Sequence, residues 1–409
     1  MPWSPRKRRA ITALVLATIA AMSLWFSAAA IAPALISLYD LSPLQAGFLT
    51  SSVSAGFVAG TLISASFGLA DRLDPRRFFL LATLTAAGIN LSLLAIPADH
   101  WSMPVLRGLI GLCAAGIYPV GMRLAASWAE TAKGRADTGL LVGLLVGALT
   151  LGSATPYLVD LAGGLSWQRT LMLGSALAAA GGVLILAVPV GPSYQRAAAF
   201  KASDALKGWT EPAMRLTNLG YLGHMWELYA MWAWIGAFLA ASFSVQPGGP
   251  MTEVWAKFAA FAVIGTGAAG CLLGGFAADR IGRTAVTAAA MILSGTCALC
   301  LGFLLGGPVW LVLGVALIWG ITVIADSAQF SAAMVELAPK HLTGTLLTAQ
   351  TCLGFLLTMV SIQLLPVVRE AFDWGVAFAL LAVGPALGAL AMLRLRARPE
   401  AQSLAGGRK

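Results

Sequence analysis

Residues 275–283 read Gly-Phe-Ala-Ala-Asp-Arg-Ile-Gly-Arg and end an apolar run that begins near residue 253. A related stretch, Gly-Leu-Ala-Asp-Arg at residues 68–72, ends an apolar run that begins near residue 44. The two Asp-Arg pairs are 208 positions apart, which is about half of the 409 residues. Each pair opens a short basic turn between two apolar runs. The second half of the chain therefore repeats the organisation of the first.

The composition excludes a water-soluble enzyme. Hydrophobic residues make up 59% of the chain and charged residues 11%, whereas soluble domains carry about a quarter charged residues. The 45 glycines suit membrane helices, which use small residues to pack closely. These numbers indicate a polytopic helical membrane protein.

The apolar runs are long enough to cross a bilayer, which takes about 20 residues. The first follows Arg6–Arg9 and is too long for a cleaved signal sequence, so we expect it to be retained as a span. The sequence predicts twelve transmembrane helices, near 10–38, 44–70, 78–97, 104–128, 138–160, 168–190, 216–242, 253–278, 285–306, 308–335, 343–367 and 373–395.

The basic residues predict the orientation of these spans. If the N-terminus is cytoplasmic, 21 of the 26 Lys and Arg residues fall in cytoplasmic segments and three fall outside. Cytoplasmic loops are enriched in Lys and Arg in this way. We therefore expect both termini to be cytoplasmic and the net charge of +9 to reflect topology and contact with the lipid bilayer rather than a nucleic-acid partner.

The repeated turn suggests a gate. Asp71, Arg72, Asp279, Arg280 and Arg283 lie at the mouths of two helix pairs, where an Asp can bind helix N-termini and neighbouring Arg side chains in one state and release them in another. The simpler alternative is that any cytoplasmic turn between two spans is short and basic.

The chain resembles the major facilitator superfamily of secondary transporters over essentially its full length. Residues 275–283 form a near-complete version of that family's loop signature, and Arg107-Gly108-Leu109-Ile110-Gly111 resembles its Arg-x-x-x-Gly motif. The first loop copy departs from the signature, with Phe67, Asp74 and Pro75 at altered positions.

The resemblance implies two pseudo-symmetric six-helix bundles, with substrate bound near the midplane and alternating access by rocking. The expected domains are residues 1–190, a cytoplasmic central loop at 191–215, and residues 216–409. In span 5, Gly143 and Gly147 partly match the family's antiporter signature, although Ala148 and Leu151 replace its usual Pro and Gly. We interpret these two glycines as helix-packing positions.

Glu227 is the strongest candidate for a proton-transfer residue, because it lies about half-way along span 7 with His224 one turn before it. Charged groups inside a membrane are costly and usually functional. We predict that Glu227 and His224 exchange a proton during transport. The structural alternative is a neutral, hydrogen-bonded Glu that only braces helices.

Asp326 in span 10 is a candidate ligand for a cationic group, a second proton-responsive site, or one half of a structural salt bridge with Arg107 or Arg123. Arg107 in span 4 is a candidate electrostatic partner for these acids or a ligand for an anionic substrate. Arg123 lies near a cytoplasmic end, where its side chain can extend to the interface.

Aromatic and amide side chains complete the candidate binding site, since aromatic walls stack on flat or cationic solutes. The alternative for each is ordinary packing. The candidates are Trp25, Trp226, Trp319, Asn90 and Gln329.

These features predict a proton-coupled secondary transporter of a small organic solute, with a lean towards efflux. The first alternative is uptake or exchange of a small anion, of the nitrate or cyanate type, through Arg107. The second is a membrane sensor that transports nothing. We expect no enzymatic activity, no cofactor and no bound metal, a monomer, and a location in a bacterial inner membrane.

Overall fold

The computed structural model describes residues 3–129, 131–132, 135–136, 138–194, 200–246 and 253–409. The helices in the first half of the chain are α1 (Pro5–Met22), α2 (Ser27–Tyr39), α3 (Pro43–Phe67), α4 (Leu69–Arg72), α5 (Pro75–Ser92), α6 (Ser102–Ala114), α7 (Tyr118–Ala126), α8 (Thr138–Ala162) and α9 (Trp167–Leu184). A pair of two-residue antiparallel strands, β1 (Thr131–Ala132) and β2 (Arg135–Ala136), lies between α7 and α8.

The second half is helical throughout its described length. Its helices are α10 (Ala202–Ala205), α11 (Lys207–Thr210), α12 (Pro212–Ser244), α13 (Glu253–Ile281), α14 (Arg283–Leu301), α15 (Val309–Ala325), α16 (Ser327–Leu337), α17 (Thr343–Ala371), α18 (Trp374–Leu381) and α19 (Val383–Arg396). Short 3₁₀ helices are formed by Leu93–Ala95, Ile185–Ala187, Gly302–Leu304 and Pro399–Gly407.

Eleven helical segments in the described part of the chain are long and apolar enough to cross a membrane. The segment that corresponds to the predicted seventh span is α12, which has 33 residues and is therefore about 50 Å long at 1.5 Å per residue. Buried polar side chains, His224 and Glu227 among them, lie along it. The predicted all-helical membrane fold is confirmed, with twelve membrane-length segments.

Local sequence explains where several spans begin. Pro43, Pro75 and Pro212 each start a helix, a position that suits proline because the first backbone N–H groups of a helix have no partner within it. Asp74 caps α5, since its carboxylate accepts from the backbone N–H groups of Arg76 and Arg77. Asp373 caps α18 in the same way.

Several predicted spans are broken helices rather than continuous ones. The first span divides into α1 and α2 at residues 23–26, and the tenth divides into α15 and α16 at Asp326. The fourth divides into α6 and α7, and the last into α18 and α19. Breaks leave backbone carbonyls without their helical partners, so each must find another donor in the membrane.

The chain forms two compact units. The N-unit consists of Met1–Leu41 and Ser52–Ala197, and the C-unit consists of Ser42–Ser51 and Ala198–Lys409. The boundary near residue 197 lies inside the segment expected to be the central loop, in which α10 and α11 are short helices. Each unit has its own buried apolar interior, and large apolar side chains such as Leu81, Phe303 and Leu387 are exposed on the outside, as contact with lipid requires.

Candidate functional site

Glu227 lies in the interior of the C-unit, with 1% of its side chain exposed. Its Oε2 accepts a hydrogen bond from the Ser294 hydroxyl on α14 at 2.8 Å. Its Oε1 accepts from the indole Nε1–H of Trp319 on α15 at 2.7 Å. Both carboxylate oxygens therefore have a donor, and the side chain does not face the bilayer.

His224 pairs with Asp326 rather than with Glu227. The imidazole Nδ1 and the Asp326 Oδ1 are 2.8 Å apart, and the side chains are 1% and 2% exposed. Asp326 reaches His224 because it stands at the junction of α15 and α16, where the break turns a helix end towards α12. The expected proton exchange between His224 and Glu227 stays a prediction, since the structure gives each of them a different partner.

His224 and Asp326 lie close together, but polar atoms of the pair lack a hydrogen-bond partner within the described part of the chain. Asp326 Oδ1 has no hydrogen-bond partner among the described residues, and neither does the second imidazole nitrogen, Nε2 of His224. The rings of Tyr221 and Phe330 lie beside the imidazole, with centroids 6.2 and 5.6 Å from it. Unpaired polar atoms in such apolar surroundings are costly, so a new polar partner would stabilise this pair.

Arg107 is fully buried in the N-unit and binds the break in the first span. One guanidinium nitrogen donates to the carbonyl of Leu24 at 3.3 Å and to the hydroxyl of Ser27 at 2.9 Å, and the other donates to the carbonyl of Trp25 at 2.7 Å. These carbonyls lie where α1 ends and α2 begins. Arg107 thus supplies donors that the broken helix lacks, and its expected role towards an anion or an acid stays a prediction.

Asn90 extends this polar network across the N-unit. Its side-chain amide nitrogen donates to the Ser175 hydroxyl at 2.9 Å and to the Leu171 carbonyl at 3.2 Å, and its oxygen accepts from Ser27 at 3.3 Å. Asn90 is 0% exposed, so in this structure it connects α2, α5 and α9. Trp25, from the break itself, packs edge-on against Phe57.

The other two aromatic and amide candidates have hydrogen-bond partners other than Glu227. Trp226 is half-buried and donates to the Leu380 carbonyl at 3.1 Å, just before the break between α18 and α19. Gln329 accepts from the guanidinium of Arg283 at 2.7 Å, so it belongs with the turn at 279–283. Of the predicted binding residues, Trp319 alone hydrogen-bonds to Glu227 within the described part of the chain.

The second Asp-Arg turn is held by a carboxylate that sequence reasoning missed. Arg283 makes a bidentate ion pair with Glu336 at the end of α16, at 2.8 and 2.7 Å. Arg280 lies over the ring of Phe276, 3.3 Å from its centroid, and the backbone carbonyl of Asp279 accepts from Arg408 at 2.9 Å. The available signal for Glu336 was its position four residues before Lys340, in a loop predicted to be cytoplasmic.

The first Asp-Arg turn is organised differently. Arg72 is exposed and ends α4, while the side chain of Asp71 lies outside the described residues. Asp74, where the family signature has Gly, accepts from the Arg76 guanidinium at 2.8 Å as well as capping α5. The Arg76 guanidinium and the backbone N–H groups of residues 76 and 77 lower the pKa of Asp74 to about 2.

Three further predicted positions lie in the N-unit. Gly143 and Gly147 are buried on α8, which fits a packing position. Arg123 lies with its guanidinium over the Tyr194 ring, 5.3 Å from the centroid.

Comparison with known proteins identifies the family. The sequence pattern of the Major Facilitator Superfamily matches residues 13–362. The chain belongs to the Major Facilitator Superfamily. Membership in this family makes the protein a multi-pass membrane transporter and not an enzyme.

Curated relatives are similar over a limited segment. A Haemophilus influenzae protein described as a metabolite transport protein is 27% identical over 136 residues, which cover 33% of this chain and 32% of that protein. The uncharacterised Escherichia coli transporter YgaY is 27% identical over 146 residues, or 34% of each chain. The aligned segments thus span about a third of the length of these relatives.

Solved superfamily structures share the whole fold. A bacterial homologue of the human lysosomal transporter Spinster, solved in an inward-facing and unoccupied conformation, superposes with a TM-score of 0.69 over 97% of this chain and 100% of the other at 15% identity. A point mutant of the nucleoside transporter NupG gives 0.71 over 95% and 99% at 15% identity. At this identity the likeness concerns the fold alone.

Proposed function

We propose that this superfamily member is a proton-coupled secondary transporter of a small organic solute. The observation that carries the proposal is the presence of three titratable side chains, Glu227, His224 and Asp326, that are each at most 2% exposed in the interior of the C-unit. A charge in such surroundings is expensive, and a change of protonation removes or moves that charge. The protein therefore has groups whose preferred environment depends on whether they carry a proton.

The hydrogen bonds suggest different roles in transport for Glu227 and Asp326. Glu227 has hydrogen-bond donors on both oxygens, which hold its side chain in place until access to water changes. The His224–Asp326 pair has unpartnered polar atoms, so its contact can be exchanged for one with a proton, water or solute at little cost. In alternating access, a rearrangement at the α15–α16 break would separate this pair, and protonation of Asp326 would favour the separated state.

The proposed substrate is a small metabolite, and the proposed direction of transport is efflux. The relative described as a metabolite transport protein supports a small metabolite as substrate. Efflux is favoured by the partial antiporter signature at Gly143 and Gly147 together with the buried acids. The distribution of basic residues supports an orientation with both termini in the cytoplasm, with the helices in a bacterial inner membrane. Membership in the superfamily supports a monomer.

The test begins with a ligand screen. Purified protein is screened against a panel of small metabolites by thermal shift at pH 5.5 and pH 8, because a ligand that binds the folded state stabilises it. Hits are then assayed in proteoliposomes with an imposed pH gradient, with an internal pH-sensitive dye and labelled solute as parallel readouts.

The decisive variant is Glu227→Gln, with Glu253→Gln as the matched control. Glu253 opens α13 and is half exposed, so the control makes the same chemical change outside the interior. We expect Glu227→Gln to lose gradient-driven accumulation while retaining solute exchange without a gradient, and Glu253→Gln to behave as the unaltered protein. Full gradient-driven transport by Glu227→Gln would remove Glu227 from the mechanism.

A further inference from the structure

The last residues of the chain are packed against the C-unit rather than extended away from it. Residues 399–407 form a 3₁₀ segment after α19 that is kinked at residues 404–406, and Ala401 and Leu404 in it are 0% exposed. We call residues 397–409 the tail. Its apolar side chains are buried at the end of the unit that also holds the Asp279–Arg283 turn.

The tail is hydrogen-bonded to that turn through backbone groups. The carbonyl of Lys409 accepts from the Thr284 hydroxyl at 2.9 Å and from the Arg396 guanidinium at 3.2 Å. Arg408 donates to the carbonyl of Asp279 at 2.9 Å. Gly282 has a φ of 101°, and a Cβ there would overlap the carbonyl oxygens of residues 408 and 409. The glycine of the loop signature thus leaves the space in which the tail lies.

One carboxylate joins the tail, the turn and α16. The Oε2 of Glu336 accepts from the guanidinium of Arg283 at 2.8 Å and from the backbone N–H of Ala405 at 3.0 Å. A shift of either partner changes the environment of the other. The turn therefore cannot move away from α16 without disturbing the tail.

The N-unit shows a related arrangement. There the segment that follows the sixth span reaches back, and the Tyr194 hydroxyl donates to the carbonyl of Ala70 at 3.3 Å, just before the first Asp-Arg pair. The same segment is fixed to the end of α7 by the N–H of Ser193, which donates to the carbonyl of Ser127 at 3.0 Å. In each half, the segment that follows the last span of that half, α9 or α19, is hydrogen-bonded to a backbone carbonyl at or next to that half's Asp-Arg turn.

We infer that residues 397–409 form a releasable latch that holds the Asp279–Arg283 turn in place. Release is feasible because Ala405 has a φ of 48°, in the left-handed region that favours glycine. The burial of Leu404 and the Ala405–Glu336 hydrogen bond keep that backbone in place. A docked tail fixes the ends of α13 and α14 to α16 and α19, whereas an undocked tail leaves the turn free to rearrange. This inference concerns the C-unit alone and does not depend on which ion or solute is transported.

Amide hydrogen exchange of the full chain in lipid nanodiscs tests the latch. Leu404→Asp places a carboxylate at a buried position close to Glu336, and Gln402→Asp places the same group at an exposed position of the tail. We expect Leu404→Asp to speed exchange at residues 279–290 and 330–337 at least tenfold, while Gln402→Asp leaves it unchanged. If the tail exchanges fast in Leu404→Asp and residues 279–290 do not, the latch is refuted.

A variant with the opposite effect guards against simple misfolding. Ala405→Gly relieves the left-handed backbone and removes only one methyl group, so it should hold the tail more tightly and slow exchange at residues 279–290. Arg408→Gln removes the donor to Asp279 and should speed exchange at residues 279–283 by a smaller factor than Leu404→Asp. Faster exchange in Ala405→Gly, or no change in Arg408→Gln, would contradict the inference.

Discussion

Glu227 can be recognised from the sequence as a candidate functional residue, but its hydrogen-bond partners cannot. The cost of a charge in a membrane singles it out, because few acids interrupt the apolar runs. Its partners could not be predicted, since Ser294 and Trp319 lie 67 and 92 residues further along the chain and are ordinary residues for a membrane helix. The pairing of His224 with Asp326 likewise depends on how two helices pack together. The helical periodicity of α12 alone does not predict that packing.

Asp74 gives a residue-scale prediction about pH. It lies outside the membrane-spanning segments, and its folded pKa of about 2 is below the ordinary value of 3.8. A lowered carboxyl pKa adds stability above the ordinary pKa, and that stability is lost as the pH falls through the folded value. We expect Asp74→Ala to cost about 1 kcal/mol at pH 7, the usual worth of a helix cap, because its ion pair with Arg76 is partly exposed and adds little.

The measurement is thermal unfolding in detergent at pH 7, 4 and 2.5. The difference between the unaltered protein and Asp74→Ala should be constant from pH 7 to about pH 4 and shrink towards pH 2. Asp74→Asn is the control, because its side-chain oxygen still caps α5 but does not titrate. A difference that grows as the pH falls would contradict the assignment.

At the scale of the element, the break in the first span was not visible in the sequence. Residues 23–26 read Ser-Leu-Trp-Phe and contain neither Pro nor Gly, so the run at 10–38 was expected to be one continuous helix. The structure divides it, and Arg107 binds the carbonyls of Leu24 and Trp25 that the division exposes. A helix from another part of the chain thus stabilises a break that local propensity does not favour.

Replacing Arg107 tests this explanation. Lysine keeps the charge but lacks the planar fork that reaches two carbonyls and Ser27 together, so Arg107→Lys should leave a buried carbonyl unpaired and cost about 1–3 kcal/mol. We expect a lower unfolding temperature and faster amide exchange at residues 23–27.

Arg123→Lys is the matched control for this change, because it makes the same substitution in α7 of the same span, near the predicted cytoplasmic end. Equal effects of the two variants, or normal exchange at residues 23–27 in Arg107→Lys, would show that the guanidinium does not hold the break.

At the scale of the whole molecule, repetition made the fold predictable. The Asp-Arg turns at 71–72 and 279–280 recur because each half of the chain has a short basic turn after its second span. The family match at residues 13–362 confirms the superfamily to which the repeated turn pointed. The repeat could not predict where the halves differ, such as Asp74 in the first turn and Glu336 beside the second, because those contacts arise after the halves diverge.

The charge distribution predicts how the whole chain sits in the membrane. With 21 of the 26 basic residues in segments of one predicted side, the opposite orientation would require most of them to cross the bilayer, which strongly disfavours it. A fusion joined after Lys409 should therefore place green fluorescent protein in the cytoplasm, where it fluoresces, and leave alkaline phosphatase inactive. Fusions after Phe372, between α17 and α18, should give the reverse. Active phosphatase after Lys409 would overturn both the orientation and the placing of the Asp-Arg turns on the cytoplasmic side.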